Sequence, residues 1–176
     1  MAPTTKRSAP ETATTTDSAV KTIKMAQEAE DPAVTLFRDY LRIKSVQPDP
    51  DYESCVIFLK KQAQRLGLDY HVTEMVKGKP IFIMTWPGTD PSLPSLLLNS
   101  HTDVVPVFPE SWKYDAFEAV KEANGDIYAR GTQDMKSVGI QHIEAIYRLK
   151  VLQKKTFKRT IHLWYTMRSR QHCFRS

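Results

Sequence analysis

Acidic residues run out early in this chain. The last Asp or Glu of its 176 residues is Glu144, and the nine Lys/Arg from Arg148 to Arg175 follow without a carboxylate. No later acid is available as an ion-pair partner, metal ligand or general base. Cysteine is nearly absent as well. Cys55 and Cys173 are the only two, which excludes a disulfide-stapled secreted scaffold and points to a reducing compartment, the cytosol. Long hydrophobic runs are missing: nothing approaches the ~18 apolar residues of a membrane span, and the polar, Thr-rich start has no apolar secretory core. Glu11 and Asp17 argue against a mitochondrial presequence, despite a weak amphipathic pattern from Val20 to Ala26. No segment repeats.

What is present is an ordinary globular composition, 41% hydrophobic and 26% charged, long enough for one domain with its own core. The formal charge of +5 is gathered at the basic end. Its cations are scattered and carry no interleaved aromatic platform, so they read as a solvated surface and tail rather than a nucleic-acid interface. Residues 1–30 are rich in Thr, Ala and Ser and bury too little apolar surface to offset their ordering entropy. A disordered leader is expected there.

From Asp31-Pro32 the pattern changes. An N-cap followed by proline opens a helix whose stripe is Val34, Phe37 and Leu41, with Leu36 and Tyr40. Asp51 opens a second helix with Cys55, Val56, Leu59, Ala63 and Leu66 inward, and Gly67 stops it. Leu68 to Met75 alternates like a half-buried strand. Pro80–Trp86 and Ser95–Asn99 are continuous apolar runs, predicting strands covered on both faces. Asn124-Gly125 suits a hairpin turn between Phe117–Lys121 and Asp126–Arg130. Met135–Leu149 reads as a helix and Thr160–Thr166 as a last strand. The order predicts an α/β fold, a mostly parallel sheet flanked by helices.

In such a sheet, catalytic groups gather beyond the carboxyl ends of the strands. His101-Thr102-Asp103 follows the Leu96 run, and Asp134 precedes the Met135 helix. At i, i+2 spacing Asp103 can hold the ring of a metal-binding His101 from behind. Asp134 at a helix start can offer its oxygens to one metal ion or to two. The same residues can equally be a loop histidine and an N-cap aspartate. Pattern alone leaves both readings open.

The literal strings go further. Leu98-Asn99-Ser100-His101-Thr102-Asp103-Val104-Val105-Pro106 and Tyr128-Ala129-Arg130-Gly131-Thr132-Gln133-Asp134-Met135-Lys136 together resemble the zinc-dependent M20 amidohydrolases and peptidases. Within that family the chain looks most like the branch that hydrolyses N-acyl-L-amino acids. Val34–Ile43, Val46-Gln47-Pro48, Thr85-Trp86-Pro87-Gly88-Thr89 and Arg159-Thr160-Ile161-His162 extend the likeness over residues 31–166. The resemblance implies a zinc aminopeptidase-like catalytic domain with two zinc ions. His101 would be a ligand of the first zinc, Asp134 the carboxylate bridging both, and Asp103 the catalytic aspartate orienting His101. His71, His142 and His162 match no motif and read as structural or surface residues.

The departures are equally specific. Where the family's strand leads into paired glutamates, a general base and a zinc ligand, this chain has Met167-Arg168-Ser169-Arg170-Gln171-His172-Cys173. His172 or Cys173 can bind metal, but neither replaces the base. The family's later ligands and dimerisation domain have no counterpart. The expectation is therefore the N-terminal part of such a catalytic domain, truncated and inactive alone, ending in an unrelated basic tail over residues 167–176. Its substrate class would be N-acyl amino acids and its partner a second copy or a full-length relative, with no membrane or nucleic-acid role.

Overall fold

The computed structural model describes residues 30–167. The leader expected ahead of Glu30 and the tail beyond Met167 lie outside the described residues. Helix α1 spans Pro32–Arg42 and α2 spans Tyr52–Leu66. Strands β1 (Asp69–Val76), β2 (Lys79–Trp86) and β3 (Leu96–His101) follow, then a short pair, β4 (Val120–Lys121) and β5 (Ile127–Tyr128). Helix α3 (Lys136–Ile146) widens into a π-type turn at Tyr147–Leu152 before β6 (Ile161–Thr166) ends the sheet.

Local chemistry sets these boundaries. Asp51 caps α2, accepting a hydrogen bond from the Ser54 amide at 2.9 Å; hydrogen bonding with the Ser54 side chain, and then with its amide, holds the Asp51 carboxyl below the usual carboxylate range. Gly67 closes the helix at φ +60°, a left-handed conformation that costs glycine little. The hairpin at Asn124-Gly125 forms as expected, but its ladder holds only Val120–Tyr128 and Lys121–Ile127.

The main sheet has the order β1-β2-β6-β3. The α/β expectation holds as a central sheet with helices packed on it, while its mostly parallel character does not. β1–β2 and β2–β6 are antiparallel, and only β3–β6 is parallel. The cause is connection length: Lys77-Gly78 joins β1 to β2 by a tight turn, whereas a parallel pair needs a crossover, here α3 between β3 and β6.

Nor are the apolar runs covered evenly on both faces. Burial alternates along β2 and β6. Phe82, Met84 and Trp86 pack beside Tyr165, Leu163 and Ile161, under Tyr40, Cys55, Leu59, Ala63, Ile140 and Ile143 of the helices. Met167 belongs to this core too. The opposite face, including Ile81, Ile83 and Trp164, is half-buried, and Leu96 and Leu97 on edge strand β3 are about half exposed. Among the described residues no helix is long and apolar enough to cross a membrane.

Helix α3 sits tightly on the sheet at Gly139. A Cβ there would lie 2.9 Å from a Tyr165 ring carbon and 3.0 Å from the Ser100 hydroxyl, and the Tyr165 hydroxyl donates to the Gly139 carbonyl at 2.7 Å. Overpacking of this kind costs roughly 1–3 kcal/mol. The Gly139→Ala chain is expected to lose that much in urea unfolding, with the midpoint lowered and the slope unchanged; an unaltered midpoint would mean that the contact yields.

Candidate metal-binding site

His101 is the last residue of β3, and Asp134 stands just before α3, whose N-cap position is taken by Met135. The two come together although 33 positions apart: His101 Nε2 lies 2.9 Å from Asp134 Oδ1. The other ring nitrogen, Nδ1, is 3.0 Å from the Asp103 main-chain oxygen. A carbonyl only accepts, so Nδ1 carries the proton and Nε2 is left to face Asp134. A lone pair and a carboxylate oxygen at that separation require positive charge between them, a proton on the ring or a metal ion.

Asp103 contributes differently from the expectation. Its carbonyl makes the short contact, while its carboxylate Oδ1 stands 3.6 Å from Nδ1, beyond hydrogen-bond range. The carboxylate is nearly buried, with side-chain exposure of 7%, whereas the Asp134 side chain is 53% exposed. The site therefore has a sheltered anionic back and an open carboxylate at its mouth. Burial, reinforced by the charge of Asp103, pushes the Tyr52 hydroxyl up to about 12.

The stretch from Tyr40 to Val46 holds both halves of the site. On one side the Ser45 hydroxyl donates to the Thr102 carbonyl at 2.6 Å. The Val104 amide donates to the Ser45 carbonyl at 2.9 Å, and Val46 forms a parallel bridge with Val104. On the other, the Lys136 ammonium donates to the Tyr40 carbonyl at 3.0 Å and the Ile43 carbonyl at 2.8 Å. It lies 4.9 Å from the Tyr40 ring centre. Lys136 is wholly buried, and loss of hydration lowers its pKa to about 8. Sequence reasoning quoted Lys136 within a motif without giving it a task. The signal was there: a cation in the first turn of α3 opposes the helix dipole, so it needs a partner elsewhere.

The other described histidines stand apart from this pair. His71 is exposed on β1, and His162 pairs with Thr85 at 3.0 Å. His142 is half-buried in α3, where desolvation lowers its pKa. The final acid, Glu144, accepts from Arg65 at 2.7 Å. Among the described residues no group of three or more His, Cys, Asp or Glu side chains can hold a metal ion.

Residues 97–167 match peptidase family M20/M25/M40. Over these residues the chain is similar to the M20 family. It is 59% identical to mouse aminoacylase-1 and 56% identical to human aminoacylase-1, each over 138 residues, 78% of this chain and 34% of the relative. It thus spans about a third of the length of the curated relatives it matches. Its fold is similar to that of an M20 family metallo-carboxypeptidase, Sso-CP2 from Sulfolobus solfataricus, at TM-score 0.66 and 25% identity, over 77% of this chain and 30% of that one. A metal cofactor accords with the M20 likeness and with the His101–Asp134 pairing of a nitrogen and an oxygen donor. The described residues supply two such donors, fewer than the about three protein ligands a catalytic zinc usually takes.

Cys55 is fully buried near Ser45 and Thr102, with its thiol pushed up to about 11 chiefly by burial. At pH 8 that leaves on the order of one thiol in a thousand ionised, and thiolate is the reactive form. Iodoacetamide at pH 8 is expected to leave Cys55 unlabelled in the native chain and to label it in denaturant, read by peptide mass spectrometry. Rapid native labelling would show that this part of the core opens.

Proposed function

We propose that this chain contributes the first metal-binding half of a zinc-dependent amidohydrolase acting on N-acyl-L-amino acids, yielding a carboxylate and a free amino acid. The observation that carries the reading is the approach of His101 Nε2 to Asp134 Oδ1 with Nδ1 already committed to Asp103. Likeness to aminoacylase-1 supplies the substrate class. In this reading His101 and Asp134 are metal ligands, and Asp103 orients His101 through its carbonyl while its buried charge adds to ring basicity. A zinc pair, when bound, lowers the pKa of a water and polarises the scissile carbonyl. The chain's own contribution is to fix the imidazole tautomer, keep Nε2 open to the exposed mouth, and exclude water from the Asp103 side.

The described residues leave this chemistry incomplete: Glu144 is committed to Arg65, and among them no group of three or more His, Cys, Asp or Glu can hold a metal ion. A second reading, a non-catalytic element that pairs with a full-length relative, is favoured by β3. Among the described residues it is an edge strand with Leu96 and Leu97 half exposed, the kind of edge another strand adds to.

The test is zinc content and N-acetyl-L-amino acid hydrolysis by the purified polypeptide. Expected are weak zinc retention, lost on dialysis, and no hydrolysis above buffer. Tight stoichiometric zinc with turnover abolished by His101→Ala would overturn the inactive-alone reading. Zinc binding indifferent to His101→Ala would overturn the assignment of the metal pair.

A further inference from the structure

We propose that Lys136 is a positioning residue of the metal site, with Ser45 as its counterpart, the two clamping the His101 and Asp134 loops to one backbone segment. The proposal rests on the reading of His101 and Asp134 as a metal pair. Lys136 occupies a place that is unfavourable for its charge twice over. It lies in the first turn of α3, at the positive end of the helix dipole, and it is wholly buried. Burying an ammonium without hydrogen bonds is unfavourable, and so is a cation at a helix N-terminus. Neither helix formation nor burial in itself accounts for a lysine here.

The geometry does. The ammonium donates to the carbonyls of Tyr40 and Ile43, which also accept from the Ile43 amide at 3.3 Å and the Ser45 amide at 2.9 Å, so it binds the chain just where α1 ends. Its main-chain amide donates to the Gly131 carbonyl at 3.0 Å, closing the turn that carries Asp134. That turn abuts the other loop: a Cβ on Gly131 would lie 2.9 Å from Val104 Cγ1. From the same stretch of backbone, Ser45 grips Thr102 and Val104, on either side of Asp103. His101 and Asp134 thus hang from a common anchor, which fixes their 2.9 Å approach.

A control is built into the fold. Lys150 likewise donates to helix-end carbonyls, Leu66 and Gly67 at 3.0 Å each, but it closes α2 and joins neither loop. The experiment titrates Zn2+ alone into the 15N-labelled polypeptide and follows the His101 imidazole resonances, with thermal unfolding measured on each variant. Lys136→Met and Ser45→Ala are expected to weaken zinc binding at His101 at least tenfold, the scale on which residues supporting metal ligands act. Lys150→Met is expected to lower thermal stability while leaving zinc binding within twofold. Wild-type zinc affinity in folded Lys136→Met would overturn the proposal. Should that variant fail to fold, Ser45→Ala decides by the same criterion. Zinc-induced shifts of the Asp134 main-chain amide in His101→Ala, lost or retained, report separately on the metal-pair reading.

Discussion

The rest of the site depends on the burial of one ammonium among helix-end carbonyls. Lys136 reaches from the start of α3 to the end of α1, and through it the turn bearing Asp134 becomes part of the same rigid unit as the loop after β3. Desolvation works against this arrangement, as the lowered pKa of the lysine shows. Two carbonyl bonds and the Tyr40 ring offset the cost. The neighbouring thiol of Cys55 stays protonated at neutral pH because of its own burial, so it brings no compensating charge.

The sheet provides the second constraint. Parallel pairing of β3 with β6 places His101 beside Thr166, at the carboxyl end of the strand, where α/β folds collect their chemistry. The close seat of α3 at Gly139 sets how near its N-terminus, and with it Asp134, comes to that strand end. The His101–Asp134 pair is thus assembled from a strand end and a helix start, each seated by core packing and tied by the Ser45 and Lys136 hydrogen bonds.

Much of this was legible in the residues. The helices around Val34–Leu41 and Cys55–Leu66 follow from their apolar stripes and caps, because periodicity and capping are local. His101, Asp103 and Asp134 stood out because their motif strings are specific. Sheet direction was not legible: a run such as Ile81-Phe82-Ile83-Met84 suits parallel and antiparallel neighbours alike, and the choice lies in the turn that joins them. Burial on both faces was over-read for the same reason. The carbonyl of Asp103 was hidden too, since every residue has one and only the fold decides which accepts. Ser45 and Thr102 carry no motif, and their pairing spans 57 positions. Lys136 was visible as an anomaly, a cation at the wrong end of a helix, but its partners are set by tertiary structure.

The central claim is that this anchor leaves His101 Nε2 and Asp134 facing one another, ready for a cation. A crystal structure of the polypeptide grown with excess Zn2+, with data collected at the zinc absorption edge, tests it most directly. The account predicts an anomalous peak between Nε2 and the Asp134 carboxylate, with Nδ1 still bonded to the Asp103 carbonyl and Lys136 still on Tyr40 and Ile43. Zinc bound at His101 through Nδ1, or no peak at this pair while other histidines are occupied, would contradict it.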